Sequence, residues 1–178
     1  MKDNRKEFIF VISKSEDMKA EEMLEGFNSL VEKQKKIKDE STFTLMFFND
    51  ECKMSALTKS FKEMRKYNGR TYVPKGRSAT YDAIGYAMTA VGEVLSETDE
   101  KDRPCQVCMI IIGNGDNAST VFDHETLSAM ITEQKYVYKW DFVLYSNDDL
   151  GFDIQKGGKL SDTRKMFTEI SDYMTTLR

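Results

Sequence analysis

FIFVISKSEDM, residues 8–18, is the stretch on which the fold turns. Five apolar residues lead straight into Ser13-Lys14-Ser15-Glu16-Asp17, and a helix-patterned segment follows. An unbroken apolar run of this length is the pattern of a strand covered on both faces. The loop at its end holds Ser13, Ser15, Glu16 and Asp17. Those residue types suit an ion- or phosphate-binding loop, and they suit a plain helix cap equally well.

Working outward, Met23, Leu24, Phe27, Leu30, Val31 and Ile37 recur at three- and four-residue spacing, which predicts an amphipathic helix over 17–38. TFTLMFFND (42–50) reads as a second strand, and CKMSAL (52–57) follows so closely that an antiparallel hairpin is the natural link. A short helix over 58–66 and a loop punctuated by Gly69, Pro74 and Gly76 come next. Ile84, Ala87, Met88, Val91, Val94 and Leu95 share one helical face. VCMIII (107–112) and DFVLY (141–145) are further strands, with a helix over 124–138 between them. Residues 151–158 read as a short edge strand, and a closing helix begins at a Ser161 or Asp162 cap. Strands alternating with helices in this way make an α/β, doubly wound, mostly parallel sheet. It has one antiparallel hairpin strand and helices on both faces. In such sheets ligands bind at the carboxyl ends of the strands. The loops Ser13 to Asp17, Asn49-Asp50, Gly113 to Ser119 and Ser146 to Asp149 should therefore share one crest, joined by Lys75-Gly76-Arg77-Ser78.

The 178 residues fit a single domain spanning 1–178. A formal net charge of −4 argues against nucleic acid as partner. No stretch approaches the ~20 apolar residues of a membrane span, and the start MKDNRKEFIFVI lacks a signal peptide's apolar segment. Cys52, Cys105 and Cys108 cannot all pair within one chain, which points to a reducing, cytoplasmic location.

The residues resemble the von Willebrand factor type A family along nearly the whole chain. FIFVISKSEDM, FTLMFFNDECKMSAL, PKGRSATYDAIGYAM and VCMIIIGNGDNAST carry the likeness. Within them, GRSATYDAIG (76–85) is similar to the family's Gly-Gly-Thr-x-x-x-Asp-Ala-Ile, and GDNAS (115–119) to the end of its Thr-Asp-Gly-x-Asp-Asn-Ala-Ser run. The resemblance implies a metal-ion-dependent adhesion site. That site is built from an Asp-x-Ser-x-Ser loop, a Thr and a distal Asp, and it commonly holds magnesium. Here the matched positions are Ser13, Ser15, Asp17, Ser78 and Gly113. Only Ser15 is kept, and one carboxylate remains where a hard cation wants more. The expectation is a largely dismantled site. Ser15, Asp17, Ser78 and Asp116 are the candidates should a rearranged site hold magnesium, and Asp17 as helix cap is the structural alternative.

Other motifs carry less. Cys105-Gln-Val-Cys108 lies in a predicted strand, where Cys108 is a small core residue, and zinc would need a second ligand pair. Gly113-Asn-Gly-Asp-Asn117 lacks the three spaced glycines of a dinucleotide loop, so its glycines serve a turn. His124 is the one histidine, with no nucleophile motif to pair with. Asp17, Asp50, Asp116, Asp148 and Asp149 read as solvated loop acids before they read as a two-metal site. Tyr67, Tyr72 and Tyr81, interleaved with Lys66, Arg70, Lys75 and Arg77, read first as edge cover and second as a protein interface. Tyr136, Tyr138 and Trp140 read as packing.

The expectation is a non-enzymatic module binding an unidentified protein through the crest, with Ser13, Ser15, Asp17, Arg77, Ser78, Asp116 and Asn117 as its binding residues and no cofactor. A magnesium- or manganese-dependent adhesion domain and a metal-dependent hydrolase are the alternatives. The resemblance also fits a bacterial or phage source.

Overall fold

A computed structural model describes residues 2–178, so only Met1 of the expected domain lies outside it. The strands are β1 (Lys2–Ser13), β2 (Thr42–Phe48), β3 (Cys52–Ser60), β4 (Pro104–Ile112), β5 (Asp141–Tyr145) and β6 (Gln155–Gly158). The helices are α1 (Ala20–Lys35), α2 (Thr80–Glu97), α3 (His124–Tyr136) and α4 (Thr163–Leu177). The strands form one sheet in the order β3-β2-β1-β4-β5-β6. All neighbours are parallel except β2 and β3.

The continuous apolar strands have the double burial their pattern requires. Phe8, Phe10 and Ile12 of β1 point to one face, under α1 and α4. Ile9 and Val11 point to the other, under α2 and α3. The chain winds outward in both directions from the β1/β4 pair, so the crevice between the loops following those strands is the topological switch point.

Several expected boundaries move, each for a local reason. The first helix begins at Ala20 with Lys19 as its cap residue, and no side chain caps it. Asp17 is therefore not the N-cap, because its carboxylate is held by Ser15 and Asn114 instead. A tight turn, with Met18 N–H donating to the Ser15 carbonyl, first drops Met18 into the core. The hairpin strand β3 extends to Ser60 and leaves only a 3₁₀ turn, Phe61–Glu63, of the helix expected over 58–66. Its pairing with β2 slips twice, and at the bulge Thr58 takes a left-handed φ of 47°. The third helix stops at Tyr136. Tyr136 and Tyr138 are exposed, contrary to the packing role expected of them, and only Trp140 is buried. Asp162 caps α4 by accepting from Lys165 N–H, as its position predicts. Among the described residues no helix is long and apolar enough to cross a membrane.

Candidate functional site

The loops named from the sequence do meet at the strand ends, and backbone hydrogen bonds lock them together. Lys14 N–H donates to Phe48 O, Glu16 N–H to Gly76 O, and Lys75 N–H to Lys14 O. Ala79 N–H donates to Asn49 O, and Asn117 N–H to Ser78 O. The segment before α2 thus bridges the loops after β1, β2 and β4.

Of the five matched positions, Ser13, Ser15 and Asp17 turn their side chains toward one another, Ser78 is engaged separately, and Gly113 has no side chain to offer. Ser13 is fully buried; its Oγ lies 2.7 Å from Ser15 Oγ and accepts from Ser15 N–H at 3.1 Å. Ser15 Oγ donates to Asp17 Oδ1 at 2.5 Å, and Asn114 Nδ2 donates to Asp17 Oδ2 at 2.8 Å. Both carboxylate oxygens of Asp17 are thereby engaged. Ser78 is buried, its Oγ lies 3.0 Å from Thr80 Oγ1, and its N–H donates to Asn117 Oδ1 at 2.8 Å. At Gly113 a Cβ would stand 3.1 Å from both the Phe48 ring and Ser13 Cβ. A carboxylate there would have to push one of them aside.

A hard divalent cation needs about six oxygens and substantial carboxylate charge. The five positions offer one carboxylate and three serine hydroxyls, already engaged by one another, by Thr80 or by Asn114. Among the described residues no three His, Cys, Asp or Glu side chains converge as a metal centre would require. The crest acids have separate duties instead. Asp116 Oδ1 accepts from Tyr81 N–H and Ser119 Oγ at the start of α2. Asp149 pairs with Lys156, whose hydrogen bond holds the Asp149 carboxyl below its ordinary pKa. Asp50 Oδ2 accepts from Arg77 N–H at 2.7 Å and its Oδ1 from Arg77 Nε at 3.0 Å, which likewise lowers the Asp50 pKa. Gly76, at φ +77°, makes this possible, since a Cβ there would collide with the Asp50 carboxylate. The Arg77 guanidinium also reaches Asn117 O at 3.4 Å.

The seven expected binding residues therefore form one cluster with unequal access. Ser13, Ser15 and Ser78 are buried and Asp116 is half-buried, while Asp17, Arg77 and Asn117 face solvent. Four further residues build the crest. Asn114 bridges Asp17 to Asn147 N–H and Ser146. Asn49 holds Lys75 O and Glu51 N–H. Thr80 donates to Gly115 O at 2.5 Å. Buried Asp82 accepts from the N–H groups of Thr120, Val121 and Phe122. Asp82 was visible in the sequence as the Asp of SATYDAIG; the others carry no pattern of their own.

The remaining candidates are structural. Both Cys105 and Cys108 sit in β4, and burial pushes the Cys108 thiol up to about 12. His124 stacks on Phe152 at 4.6 Å and its Nε2 meets Leu150 O. Tyr72 is buried and donates to Ser13 O at 2.7 Å, Tyr67 packs on Phe27 and Phe47, and Tyr81 packs on His124 and Phe152. The tyrosines of the basic stretch are thus used for packing, whereas its cations are exposed.

No family model matches the chain, and no curated protein matches it. Solved structures of similar fold exist at low identity. They include the PilB minor pilin from Streptococcus sanguinis (TM-score 0.61, 9% identity, 97% of this chain and 61% of that one). A von Willebrand factor type A protein from Catenulispora acidiphila aligns with a TM-score of 0.59 at 10% identity, covering 98% of this chain and 43% of that one. Proximal thread matrix protein 1 from the mussel byssus aligns at 0.57 and 12% identity, covering 98% of this chain and 46% of that one. The chain spans less than two thirds of each of these proteins. What they share with it is the fold.

Proposed function

We propose that this chain is a non-enzymatic protein-interaction module of von Willebrand type A architecture that meets its partner at the strand-end crest without a bridging cation. The observation that carries the reading is the Asp17 carboxylate, with one oxygen bonded to Ser15 and the other to Asn114. The place of a second carboxylate falls on Gly113, hemmed in by Phe48 and Ser13. In such a loop the hydroxyls that would ligate an ion instead hold the crest rigid. The accessible Asp17, Arg77 and Asn117 then form the recognition surface. The similar folds in a minor pilin and a byssus protein support an interaction role by analogy alone. Cys52, Cys105 and Cys108, none of them joined in a disulfide among the described residues, support a reducing compartment.

Thermal unfolding in EDTA, then in millimolar magnesium, calcium and manganese, tests the reading. Ligand binding to the native state alone would raise the melting temperature. The expected result is the same melting temperature in every condition. A cation-dependent rise that disappears in Asp17→Ala would overturn the cation-free reading and establish a rearranged ion site. On the partner side, a photo-crosslinker at Asn117 should capture a protein in EDTA that one placed at Glu100 does not. Arg77→Glu should abolish that capture.

A further inference from the structure

The strongest feature outside the crest is a groove of about 1090 Å³ beside the edge strand β3. Its floor is the β2/β3 pair, where Phe47 lies opposite Lys53 and Phe43 opposite Lys59. Its far wall is the segment 64–71, which returns over the sheet toward the crest. That wall is fixed. Met64 is fully buried, Tyr67 stacks on Phe47 at 4.9 Å, and Asn28 holds both the N–H and the carbonyl of Tyr67. Beyond it, Tyr72 is buried and tied to Ser13 O. The groove is therefore pre-formed, with rigid apolar anchors beneath exposed cations.

Its charge is unlike that of the rest of the molecule. Eight Lys or Arg and a single Glu line it. The whole chain has 26 basic and 30 acidic residues, which leaves 18 basic against 29 acidic everywhere else. Lys14, Lys53, Lys59, Lys62, Arg65 and Arg70 have no ion-pair partner among the described residues. Like charges gathered at this density repel one another and gain by meeting an anion, and a low-dielectric floor strengthens the field.

We propose that this groove binds an extended acidic segment of a partner protein, its carboxylates meeting the lysine and arginine rim and its small apolar side chains resting on the floor. Two features favour a peptide over other polyanions. The groove is lined along the extended edge strand β3 and by the pinned segment 64–71, a strand-length track that suits a single extended chain. The strongly acidic remainder of the surface would repel a flat anionic membrane or a long nucleic acid brought against it. This surface is separate from the crest recognition residues, although Lys14 lies where the two adjoin.

The test is fluorescence anisotropy with the whole chain and a labelled peptide alternating glutamate and alanine. About twelve residues at ~3.3 Å each suffice to run the length of β3. Binding is expected, weakening about tenfold or more between ~50 and ~200 mM salt. The triple variant Lys53→Glu, Lys59→Glu, Arg70→Glu should lose binding at least about tenfold. The neutral set with Gln at the same three positions should lose part of it. A control triple of equal charge elsewhere, Lys101→Glu, Lys159→Glu and Lys165→Glu, should bind as the parent does. Equal loss in the control would reduce the effect to net charge and overturn the proposal. So would tighter binding of oligothymidine or of phosphatidylserine vesicles than of the peptide. Self-association abolished by the groove triple would show a second copy as the occupant and overturn it too. None of these results bears on the cation-independent melting expected of the crest, so the two readings fail separately.

Discussion

At the scale of single residues, the least expected feature lies away from the crest. Glu7 follows the same strand pattern as its apolar neighbours but is fully buried, its oxygens accepting from Thr42 Oγ1 and from Thr44 Oγ1 at 2.6 Å. Burial is the dominant influence and lifts its pKa from 4.5 to about 7, against the lowering effect of both threonine hydrogen bonds and of Arg5. A raised folded-state value means that the native chain holds a proton the unfolded chain has released. The stability linked to that proton is full below pH 4.5 and is lost as the pH rises through about 7. At about 1.4 kcal/mol per unit, the loss is at most about 3–4 kcal/mol. Glu7→Gln keeps the shape and removes the charge. Its urea midpoint should change less between pH 5 and pH 8 than the parent's and exceed it at pH 8. Parallel pH profiles for the two proteins would show that the carboxylate does not titrate in that window. Nothing in the sequence announces this group, because a charged residue just before an apolar run reads as the solvent-facing start of the strand, whereas β1 begins well before it. The two threonines that make its burial tolerable lie some 35 residues away.

At the scale of elements, α2 shows what sequence could and could not disclose. Its apolar face was legible from the spacing of Ile84, Ala87, Met88 and Val91, all of which are buried. The start of the first helix was not, because Asp17 is a good cap by type and only the position of Asn114, across the crest, draws it elsewhere. The hairpin was legible from its short gap, but the bulge at Thr58 that lengthens β3 depends on a hydrogen bond from Thr58 N–H to Thr44 Oγ1. The same limit applies to the two glycines of α2, which look alike in sequence. A Cβ at Gly92 meets nothing within 4 Å, whereas one at Gly85 would stand 2.6 Å from the Phe122 ring. Phe122 is held there by its N–H, which donates to Asp82 Oδ1 at 2.8 Å. Gly92→Ala should therefore stabilise the protein by about 0.5–1 kcal/mol through helix propensity. Gly85→Ala should destabilise it by about 1–3 kcal/mol through overpacking. Chemical denaturation of the two variants measures both, and a stabilising Gly85→Ala would mean that the loop after β4 yields freely.

At the scale of the whole molecule, the mostly parallel sheet with its one hairpin strand and the position of the crest were readable, because two periodicities and a short hairpin leave few ways to wind the sheet. The segregation of charge was not. The groove cations come from the loop after β1, from α1, β3 and the 3₁₀ turn, and from the 64–71 segment, which the fold alone brings to one trough. Gathering unpaired cations there while the rest of the surface is acidic makes each pole repel itself, and that repulsion opposes folding until a partner or salt relieves it. Neutralising the trough with Lys53→Gln, Lys59→Gln and Arg70→Gln should raise the melting temperature at low ionic strength while weakening acidic-peptide binding, as expected of a surface kept for function at the expense of stability. Each exposed charge contributes only about 0.2–1 kcal/mol, so a gain of a few degrees is the expected size. That gain should vanish near 0.5 M salt, where the Debye length falls to about 4 Å. A melting temperature lowered by the three substitutions at low salt would mean that the lysines and the arginine hold the trough together, and that their charge is structural rather than directed at a partner.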